Sequence, residues 1–589
     1  MGNFNTAEGF GALVSLTTGH ANTAIGTDAL YSNTTGYYNT ANGVFALNSN
    51  TNGSYNTANG YDALFSNNTI SSVSGNYNTA NGANALYHNT TGSNNTANGL
   101  QALFTNTTGH DNVANGVNAL YYNTTGFQNT ANGVNALTYN TTGYYNTANG
   151  DSALYSNTTG YYNTANGDSA LYSNTTGHGN TANGLTALFR NTTGIENTAN
   201  GWQALFYNTS GYFNTANGVE ALFYNTTGTD NTATGVDALF SNTTGHDNVA
   251  NGVEALQANI TGYYNTATGV DALQANTYGI DNTANGYAAL IKNTTGNYNT
   301  ATGAAALYSN TTINGVSGHN NTANGFEALY SNTTGIDNSA SGYYALFSNT
   351  IGTNNTAEGF QALYHNTGSN NIGLGFNAGN SLTTGSNNID IGNLGVAGEA
   401  GKIRIGTSAT ATGTFIAGIR GKTTVNVNAI PVLIDSAGQL GTTSSSRRFK
   451  KEIKPMDQTS EAILSLKPVT FHYKSDSTGT PQFGLIAEEV AQVNPDLVVR
   501  DEQGEIYTVR YDAVNAMLLN EFLKEHRKMQ EQDATITQLR STVAKQQKDF
   551  ETTMTQLTAR LDEQASQIQN VSAQVGASRP VPQVVVNDR

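Results

Sequence analysis

The side chains best suited to covalent chemistry lie in a short basic run, Ser444-Ser-Ser-Arg-Arg-Phe-Lys-Lys-Glu-Ile-Lys-Pro455. A serine hydroxyl becomes a nucleophile when a base removes its proton, and a neutral lysine amine can act as that base. Lysine is normally protonated at pH 7, but the cations around Lys450 favour its neutral form, as burial would. The run could therefore form a serine–lysine site, although the same residue types are common on solvated surfaces.

The spacing of Ser445 and Lys450 restricts how their side chains can meet. A separation of five residues places two side chains about 140° apart on a helix and on opposite faces of a strand. Either a bend between the two residues or a neighbouring subunit must therefore bring them together. This spacing is consistent with a site that forms only after the subunits have assembled.

The composition divides the chain into two parts. Up to residue 400 the only basic residues are Arg190 and Lys292, against 19 acids, whereas the remainder holds 22 basic and 21 acidic residues. The absence of cysteine excludes disulfide frameworks, zinc ribbons and thiol catalysis. The first part lacks the cations that a nucleic-acid partner requires. No segment approaches the roughly 18 unbroken apolar residues of a membrane span, and no signal peptide is visible, so membrane insertion is not expected.

The first part is an internal repeat. The element Asn-Thr-Ala-x-Gly begins at Asn5 and recurs in about 23 copies, mostly 17 residues apart, with degenerate copies at Asn371 and Asn388. Two intervals are 22 residues long, because 70–74 and 313–317 enlarge one point of the unit, which marks that point as an exposed loop. One unit cannot bury a core, but stacked units cover one another's apolar faces. The repeat therefore predicts a thin β-solenoid, roughly 110 Å long at about 4.8 Å per strand.

The unit at 163–179 shows how one turn is expected to fold. Ala165 and Gly167 alternate with polar residues, as the inward face of a short strand would, and Ala170 and Leu171 supply the bulk. The Asn-Thr-Thr-Gly segment predicts a turn whose glycine takes a positive φ. Equivalent asparagines should line up in hydrogen-bonded ladders with a structural role. A threonine array that binds ice or sugar is the second interpretation, but the Thr-Thr pair lies beside the turn glycine and does not alternate along a strand.

No metal or cofactor site is expected in the repeats. The Gly-Gly-x-Gly-x-Asp pattern of calcium-binding repeats is absent. Metal ligands must converge within a few ångströms, whereas the histidines occur in scattered turns, so we expect them to face solvent. Trp202 and the tyrosine pairs at 144–145 and 161–162 suit carbohydrate or protein contact, or packing between subunits. The scattered histidines are His20, His88, His110, His178, His246, His319 and His365.

The Asn-Thr-Ala-x-Gly…Ala-Leu unit resembles the head repeats of YadA-type trimeric adhesins and the similar repeats of phage tail fibres. The resemblance covers roughly residues 3–395. It implies a left-handed β-roll with three chains side by side. The adhesin heads generally have a shorter unit than the 17 residues found in this sequence.

Three motifs mark the second part: Ser445-x-x-Arg448-x-Lys450, Pro468-Val-Thr-Phe-His-Tyr473 and Phe483-Gly-Leu-Ile-Ala-Glu-Glu-Val490. Together they resemble the endosialidase-type intramolecular chaperones, which are found at the C-termini of phage tailspikes and fibres. The similarity covers about residues 445–525.

This resemblance implies a serine–lysine dyad that cuts the chain on the N-terminal side of the serine, after three chains have folded together. Carried onto this sequence, Ser445 is the nucleophile and Lys450 is the base. The cleaved bond is Ser444–Ser445. Many family members have aspartate directly after the serine, where this chain has Ser446.

Apolar residues recur at heptad spacing in a segment from about residue 515 that is rich in charged residues and glutamine. This spacing predicts a coiled coil, since a surface helix would show a broader apolar stripe. After Phe550 the seam shifts by four residues, a stutter that locally unwinds the supercoil. Gln532, Gln546 and Gln564 fall on the seam, where polar residues can fix the register. The seam consists of Phe522, Met529, Ile536, Leu539, Val543, Phe550 and Leu557, and then of Met554, Leu561, Ile568, Val571 and Val575.

These features predict a mostly β fold with a small α+β domain and a trimeric coiled coil. The predicted regions are a β-solenoid shaft (1–395), a β-rich connector (396–444) that includes Thr424–Asn428, a chaperone auto-peptidase domain (445–518), a coiled coil (519–576) and a flexible tail (577–589).

The function expected from these regions is that of a homotrimeric tail fibre, extracellular on a virion, which attaches to a host-surface glycan or protein receptor without a cofactor. The alternative is a trimeric adhesin, secreted or on a bacterial cell surface, with the same self-processing domain. A glycan-cleaving enzyme would need paired carboxylates in one globular domain. The acids of the shaft are instead spread singly.

Overall fold

The computed structural model describes residues 4–577 except 71–72, 408, 410, 418, 420–428, 436, 502 and 532–535. The chain divides into two compact units, Met1–Ala411 and Thr412–Arg589. The predicted strand at Thr424–Asn428, the seam residue Gln532 and nearly all of the predicted tail lie outside the described residues.

The first unit is a parallel β-solenoid, which confirms the predicted fold class. Each turn contributes a short strand that pairs in register with the next turn, as Thr164–Asn166 pairs with Thr181–Asn183. Twenty-four strands form one sheet, and the last of them, Ile403–Ile405, lies in the segment assigned to the connector from the sequence. The strands are Thr6–Glu8, Thr23–Ile25, Thr40–Asn42, Thr57–Asn59, Thr79–Asn81, Thr96–Asn98, Val113–Asn115, Thr130–Asn132, Thr147–Asn149, Thr164–Asn166, Thr181–Asn183, Thr198–Asn200, Thr215–Asn217, Thr232–Thr234, Val249–Asn251, Thr266–Thr268, Thr283–Asn285, Thr300–Thr302, Thr322–Asn324, Ser339–Ser341, Thr356–Glu358, Ile372–Leu374, Ile389–Ile391 and Ile403–Ile405.

The two enlarged units form small hairpins beside the ladder. Thr69–Ile70 pairs antiparallel with Val73–Ser74, and Thr312–Ile313 pairs antiparallel with Val316–Ser317. Ile313 and Val316 are about half exposed, at 47% and 55%. The parallel ladder continues past both insertions. The prediction that the insertion is exposed is therefore confirmed for 313–316, whereas residues 71–72 of the other insertion lie outside the described part of the chain.

The core of the solenoid is a single narrow column. Ala165, Ala170 and Leu171 are fully buried, and the equivalent residues are buried in the neighbouring turns. The backbone of Leu171 lies in the left-handed region, at a φ of 53°, which costs an L-residue about 1–2 kcal/mol. Complete burial of the leucine side chain stabilises the fold by about 1.5–3 kcal/mol and offsets this strain.

The glycines of the unit allow close stacking of backbones. Gly167 follows the strand with a φ of 141°, and a Cβ there would lie 2.4 Å from the carbonyl oxygen of Gly184 in the next turn. The prediction that the turn glycine takes a positive φ was wrong, because Gly177 is outside the left-handed region. A larger residue cannot replace Gly177, because a Cβ at this position would lie 2.4 Å from the Asn174 Oδ1 atom.

Two ladders of fully buried asparagines run along the solenoid. Asn163 Nδ2 donates to Asn146 Oδ1 at 3.1 Å and to the carbonyl oxygen of Gly177 at 2.9 Å. Asn174 Nδ2 donates to Asn157 Oδ1 at 2.7 Å and to the same Gly177 oxygen at 3.0 Å. The predicted structural role of the ladders is confirmed. These bonds provide hydrogen-bond partners for amide and carbonyl groups that are buried away from water.

The second unit contains short strands and two long helices. Antiparallel strand pairs join Val432–Ile434 to Leu440–Thr442, Val469–Phe471 to Gln482–Gly484, and Val498–Arg500 to Ile506–Val509. The 3-10 helices are Arg447–Phe449, Asp457–Ser465 and Pro495–Leu497, and the α-helices are Ala487–Val493, Tyr511–Glu531 and Ile536–Ala577. The core consists of Ile463, Val490, Leu497, Val498, Val509 and Met517. None of the helices that the structure describes has both the length and the apolar character needed to span a bilayer.

Candidate functional site

A short helical turn carries the residues that the sequence identified as the site. Ser446 and Lys450 flank the 3-10 helix Arg447–Phe449, and both have extended backbone, with ψ values of 138° and 141°. The N–H groups of Phe449 and Lys450 donate to the carbonyl oxygens of Ser446 and Arg447, each at 3.1 Å. The turn between two extended residues therefore supplies a bend.

The bend brings Ser445 and Lys450 together within one chain. The Lys450 Nζ atom donates to the Ser445 Oγ atom at 3.1 Å. This distance is within the range expected between a nucleophile and its general base. The spacing required either a bend within the chain or a neighbouring subunit to bring the two side chains together. The bend is sufficient, so a second chain is not needed to form this contact.

The contact is open to solvent. All residues from 441 to 455 are exposed, including Ser445 and Lys450. The two side chains therefore have the spacing of a dyad, but not the dry surroundings that favour a neutral lysine.

The other two motifs build the strands and helix of the small domain. The Pro468–Tyr473 motif supplies the strand Val469–Phe471. The Phe483–Val490 motif runs from the strand paired with it, Gln482–Gly484, into helix Ala487–Val493. The Tyr511 hydroxyl accepts a hydrogen bond from the Leu485 N–H at 3.0 Å. A Cβ on Gly484 would lie 2.7 Å from that hydroxyl oxygen, so this glycine allows the tyrosine to approach.

A polar cluster between two elements was missed in the sequence. Ser460 is fully buried on the 3-10 helix Asp457–Ser465, and its hydroxyl donates to Glu521 Oε1 on the long helix. Asn520 Nδ2 donates to Ser460 Oγ, and Lys524 Nζ donates to Glu521 Oε1, each at 2.7 Å. The hydrogen bonds from Lys524 and Ser460 lower the pKa of Glu521. No motif or spacing links residues 60 positions apart, so only the fold reveals this cluster.

Aromatic side chains form stacked rows on the solenoid. The ring centroids of Phe127, Tyr144 and Tyr161 are 5.0 Å apart in succession, and His178 continues the row at 4.5 Å. Trp202 is 47% exposed. In the tyrosine pairs, Tyr145 and Tyr162 are exposed, whereas Tyr144 and Tyr161 are half-buried.

Several histidines of the repeats belong to these stacked rows: His110 stacks on Phe127, and His246 stacks on Tyr263. His110 and His246 each contact the aspartate that follows, Asp111 and Asp247, at 2.8 Å. The described residues contain no group of three or more histidine, cysteine, aspartate or glutamate side chains placed to hold a metal ion.

Comparison with known families identifies the segment that begins at the turn. Residues 445–499 match the peptidase S74 family, described as chaperone of endosialidase. The second unit contains a chaperone of endosialidase domain. The match starts at Ser445 and spans the turn, the strand pair of the two motifs and helix Ala487–Val493. The family implies an autoproteolytic peptidase activity. No curated protein and no solved structure matches the chain significantly.

Proposed function

We propose that the chain is one subunit of a homotrimeric fibre of a virion tail that attaches to a glycan or protein on a host surface. Its chaperone domain helps three chains to fold together and then cuts itself off between Ser444 and Ser445. The Ser445–Lys450 contact, at the first residues of the family match, is the observation that supports this proposal. The mature shaft would be residues 1–444.

The scissile bond in this mechanism is the one that precedes the nucleophile. Ser445 Oγ attacks the carbonyl carbon of Ser444, while Lys450 takes the hydroxyl proton. The proton passes to the Ser445 nitrogen as the C–N bond breaks, which leaves an ester between the Ser444 carbonyl and Ser445 Oγ. Water then hydrolyses the ester to a Ser444 carboxylate and a free Ser445 amine. Water is the only co-reactant.

Exposure of the pair can link the cut to assembly. In a single chain the serine and lysine are already in contact, but both side chains are exposed to solvent. A neighbouring subunit that covered the turn would exclude water and favour the neutral amine. We therefore propose that the cut follows trimer formation.

The long helices are the proposed trimer contact of the second unit. Phe522, Met529, Phe550 and Leu557 lie on the predicted seam, and each is more than 40% exposed. Apolar side chains at heptad spacing are the residues that a coiled coil buries between its helices. Three chains would cover them together.

Electrophoresis and intact-mass measurement of the purified chain test the cut. The wild-type chain should yield fragments of 444 and 145 residues, the shorter one beginning at Ser445. Replacing Ser445 or Lys450 by alanine removes the nucleophile or the base, so each variant should cleave at least about a thousandfold more slowly.

The neighbouring serines provide matched controls in the same exposed run. Ser444→Ala and Ser446→Ala retain the serine–lysine contact and should still yield a fragment that begins at Ser445. Wild-type chains that assemble into trimers but stay intact would contradict the proposal. Cleavage of Ser445→Ala at the same bond would do so as well.

A further inference from the structure

Between residues 5 and 387, the acidic residues of the solenoid are confined to a few positions of the repeat unit. With the asparagine of Asn-Thr-Ala-x-Gly counted as the first residue, the 17 acids of residues 5–387 lie only at the fourth, sixth, seventh and seventeenth positions. Asp168, Glu254 and Asp247 are examples of the last three. In the 22 turns from Asn5 to Asn371, no acid occurs between the eighth and the sixteenth positions. One side of the unit is therefore free of negative charge in these 22 turns. In the final turn, which begins at Asn388, Glu399 lies at the twelfth position and is paired with Arg404.

This acid-free face, formed by the tenth to fourteenth positions, carries an aromatic row. The tenth residue is tyrosine or phenylalanine in 15 of the 21 turns that begin at Asn5 to Asn355. Six successive rings are half-buried and stack with centroids 4.9–5.3 Å apart. They belong to Tyr155, Tyr172, Phe189, Phe206, Phe223 and Phe240.

The two cations of residues 5–387 also lie on the acid-free face. Arg190 and Lys292 both occupy the eleventh position. The Arg190 guanidinium lies 5.1 Å from the centre of the Tyr207 ring, and the Lys292 amine lies 4.8 Å from that of Tyr308. Because these cations pack on aromatic rings of their own chain, they do not prevent close approach to this face.

The partner that fits such a face is another copy of the solenoid. With 17 acids against two cations in residues 5–387, copies repel one another wherever acidic positions meet. The aromatic row repeats with the rise of the strands, so only a partner with the same rise can stay in register with it over its length. If each of 15 rings leaves roughly 50 Å² open, the row offers roughly 750 Å², close to one side of a standard interface.

We infer that the acid-free face is the surface along which copies of the solenoid pack, with the acidic positions turned towards solvent. This inference rests on the proposed trimer and names its contact face. The aromatic pairs at the sixteenth and seventeenth positions are less suited to this role, because an acid occupies the seventeenth position in six turns.

Single cysteines test the inference, because the chain has none of its own. Ser173 lies at the eleventh position on the acid-free face, and Ser169 lies at the seventh position of the same turn, among the acidic positions. Both residues are half-buried. The variants Ser173→Cys and Ser169→Cys, each combined with Ser445→Ala to keep the chain intact, would be treated with a short bismaleimide after light scattering has measured their mass.

The expected result is a trimer in which Ser173→Cys chains become covalently linked and Ser169→Cys chains do not. A trimer linked only through Ser169→Cys, or through neither cysteine, would overturn the contact face and leave the proposed trimer intact. A monomeric chain would overturn both.

A second pair of variants keeps the test independent of cross-linker reach. Ser156→Asp with Ser173→Asp places two acids on the acid-free face, whereas Ser152→Asp with Ser169→Asp adds them among existing acidic positions. The first pair should raise the trimer dissociation constant by at least about tenfold through like-charge repulsion, and the second pair should change it less than threefold. Equal effects would overturn the inference. Circular dichroism would verify that both variants retain the β-solenoid.

Discussion

Asp390 occupies a core position that alanine fills in most other turns. It lies in register with Gly373 on one side and Arg404 on the other, and it is 1% exposed. Within the described part of the chain, neither carboxylate oxygen has a hydrogen-bond partner. The Arg404 guanidinium is instead bonded to Glu399: its Nη2 atom donates to Glu399 Oε2 at 2.7 Å, and its Nε atom donates to Glu399 Oε1 at 2.9 Å. Burial, reinforced by the charge of Glu399 and opposed by that of Arg404, raises the pKa of Asp390 to about 6.

This raised pKa predicts a pH-dependent end of the solenoid. Between about pH 4 and pH 6 the native chain keeps a proton that the unfolded chain has lost, so the free energy of unfolding falls as the pH rises. The full effect, present above about pH 6, is at most about 3 kcal/mol. Hydrogen exchange of the amides in 389–405 should therefore be slower at pH 5 than at pH 7.5, after correction for the intrinsic rates.

Asp390→Ala restores the usual residue and serves as the comparison. This variant should protect the same amides at pH 7.5 and lose most of the difference between the two pH values. An Asp390→Ala chain with the same pH dependence as the wild type would show that another group is responsible.

At the scale of one structural element, the asparagine ladders hold neighbouring turns together. Asn174 donates to Asn157 and Gly177, and it accepts from Asn191 at 2.8 Å. All of these groups are buried away from water. The half-buried Asn166 makes a similar bond to Asn183 at 2.7 Å, but water can reach that ladder.

Asn174→Ala should cost about 1–3 kcal/mol in the free energy of unfolding, because it leaves buried donors and acceptors without partners. Asn166→Ala in the same turn should cost less than about 1 kcal/mol, because water can replace the lost bond. Denaturant unfolding, with folding checked by circular dichroism, measures both values. A loss for Asn166→Ala as large as that for Asn174→Ala would contradict the structural role assigned to the buried ladder.

The elements show which features a sequence can reveal. The period of 17 residues predicts the stacked strands and the asparagine ladders, because identical units must meet identical neighbours. The left-handed φ of Leu171 could not be predicted, because leucine disfavours that region and accepts it only where burial offsets the strain. Similarly, the spacing of Ser445 and Lys450 indicated that a bend was needed, but not that the 3-10 helix Arg447–Phe449 provides it. The hydrogen bond from Leu485 to Tyr511 joins distant residues and follows only from the fold.

At the scale of the whole molecule, the two units differ in what a single chain can complete. The solenoid buries its alanine and leucine column within one chain, whereas its acid-free face remains open. The second unit has a small core and long helices whose apolar seam residues are exposed. The Ser445–Lys450 pair, the proposed site of the cut, is likewise in contact within one chain but exposed to solvent. Each of these features is accounted for if three chains assemble before the cut.

Light scattering during size-exclusion chromatography of the uncut Ser445→Ala chain tests this account most directly. The account predicts a particle of three times the chain mass of 61.8 kDa. A particle with the mass of one chain, stable across the concentrations at which the wild type is cut, would contradict it.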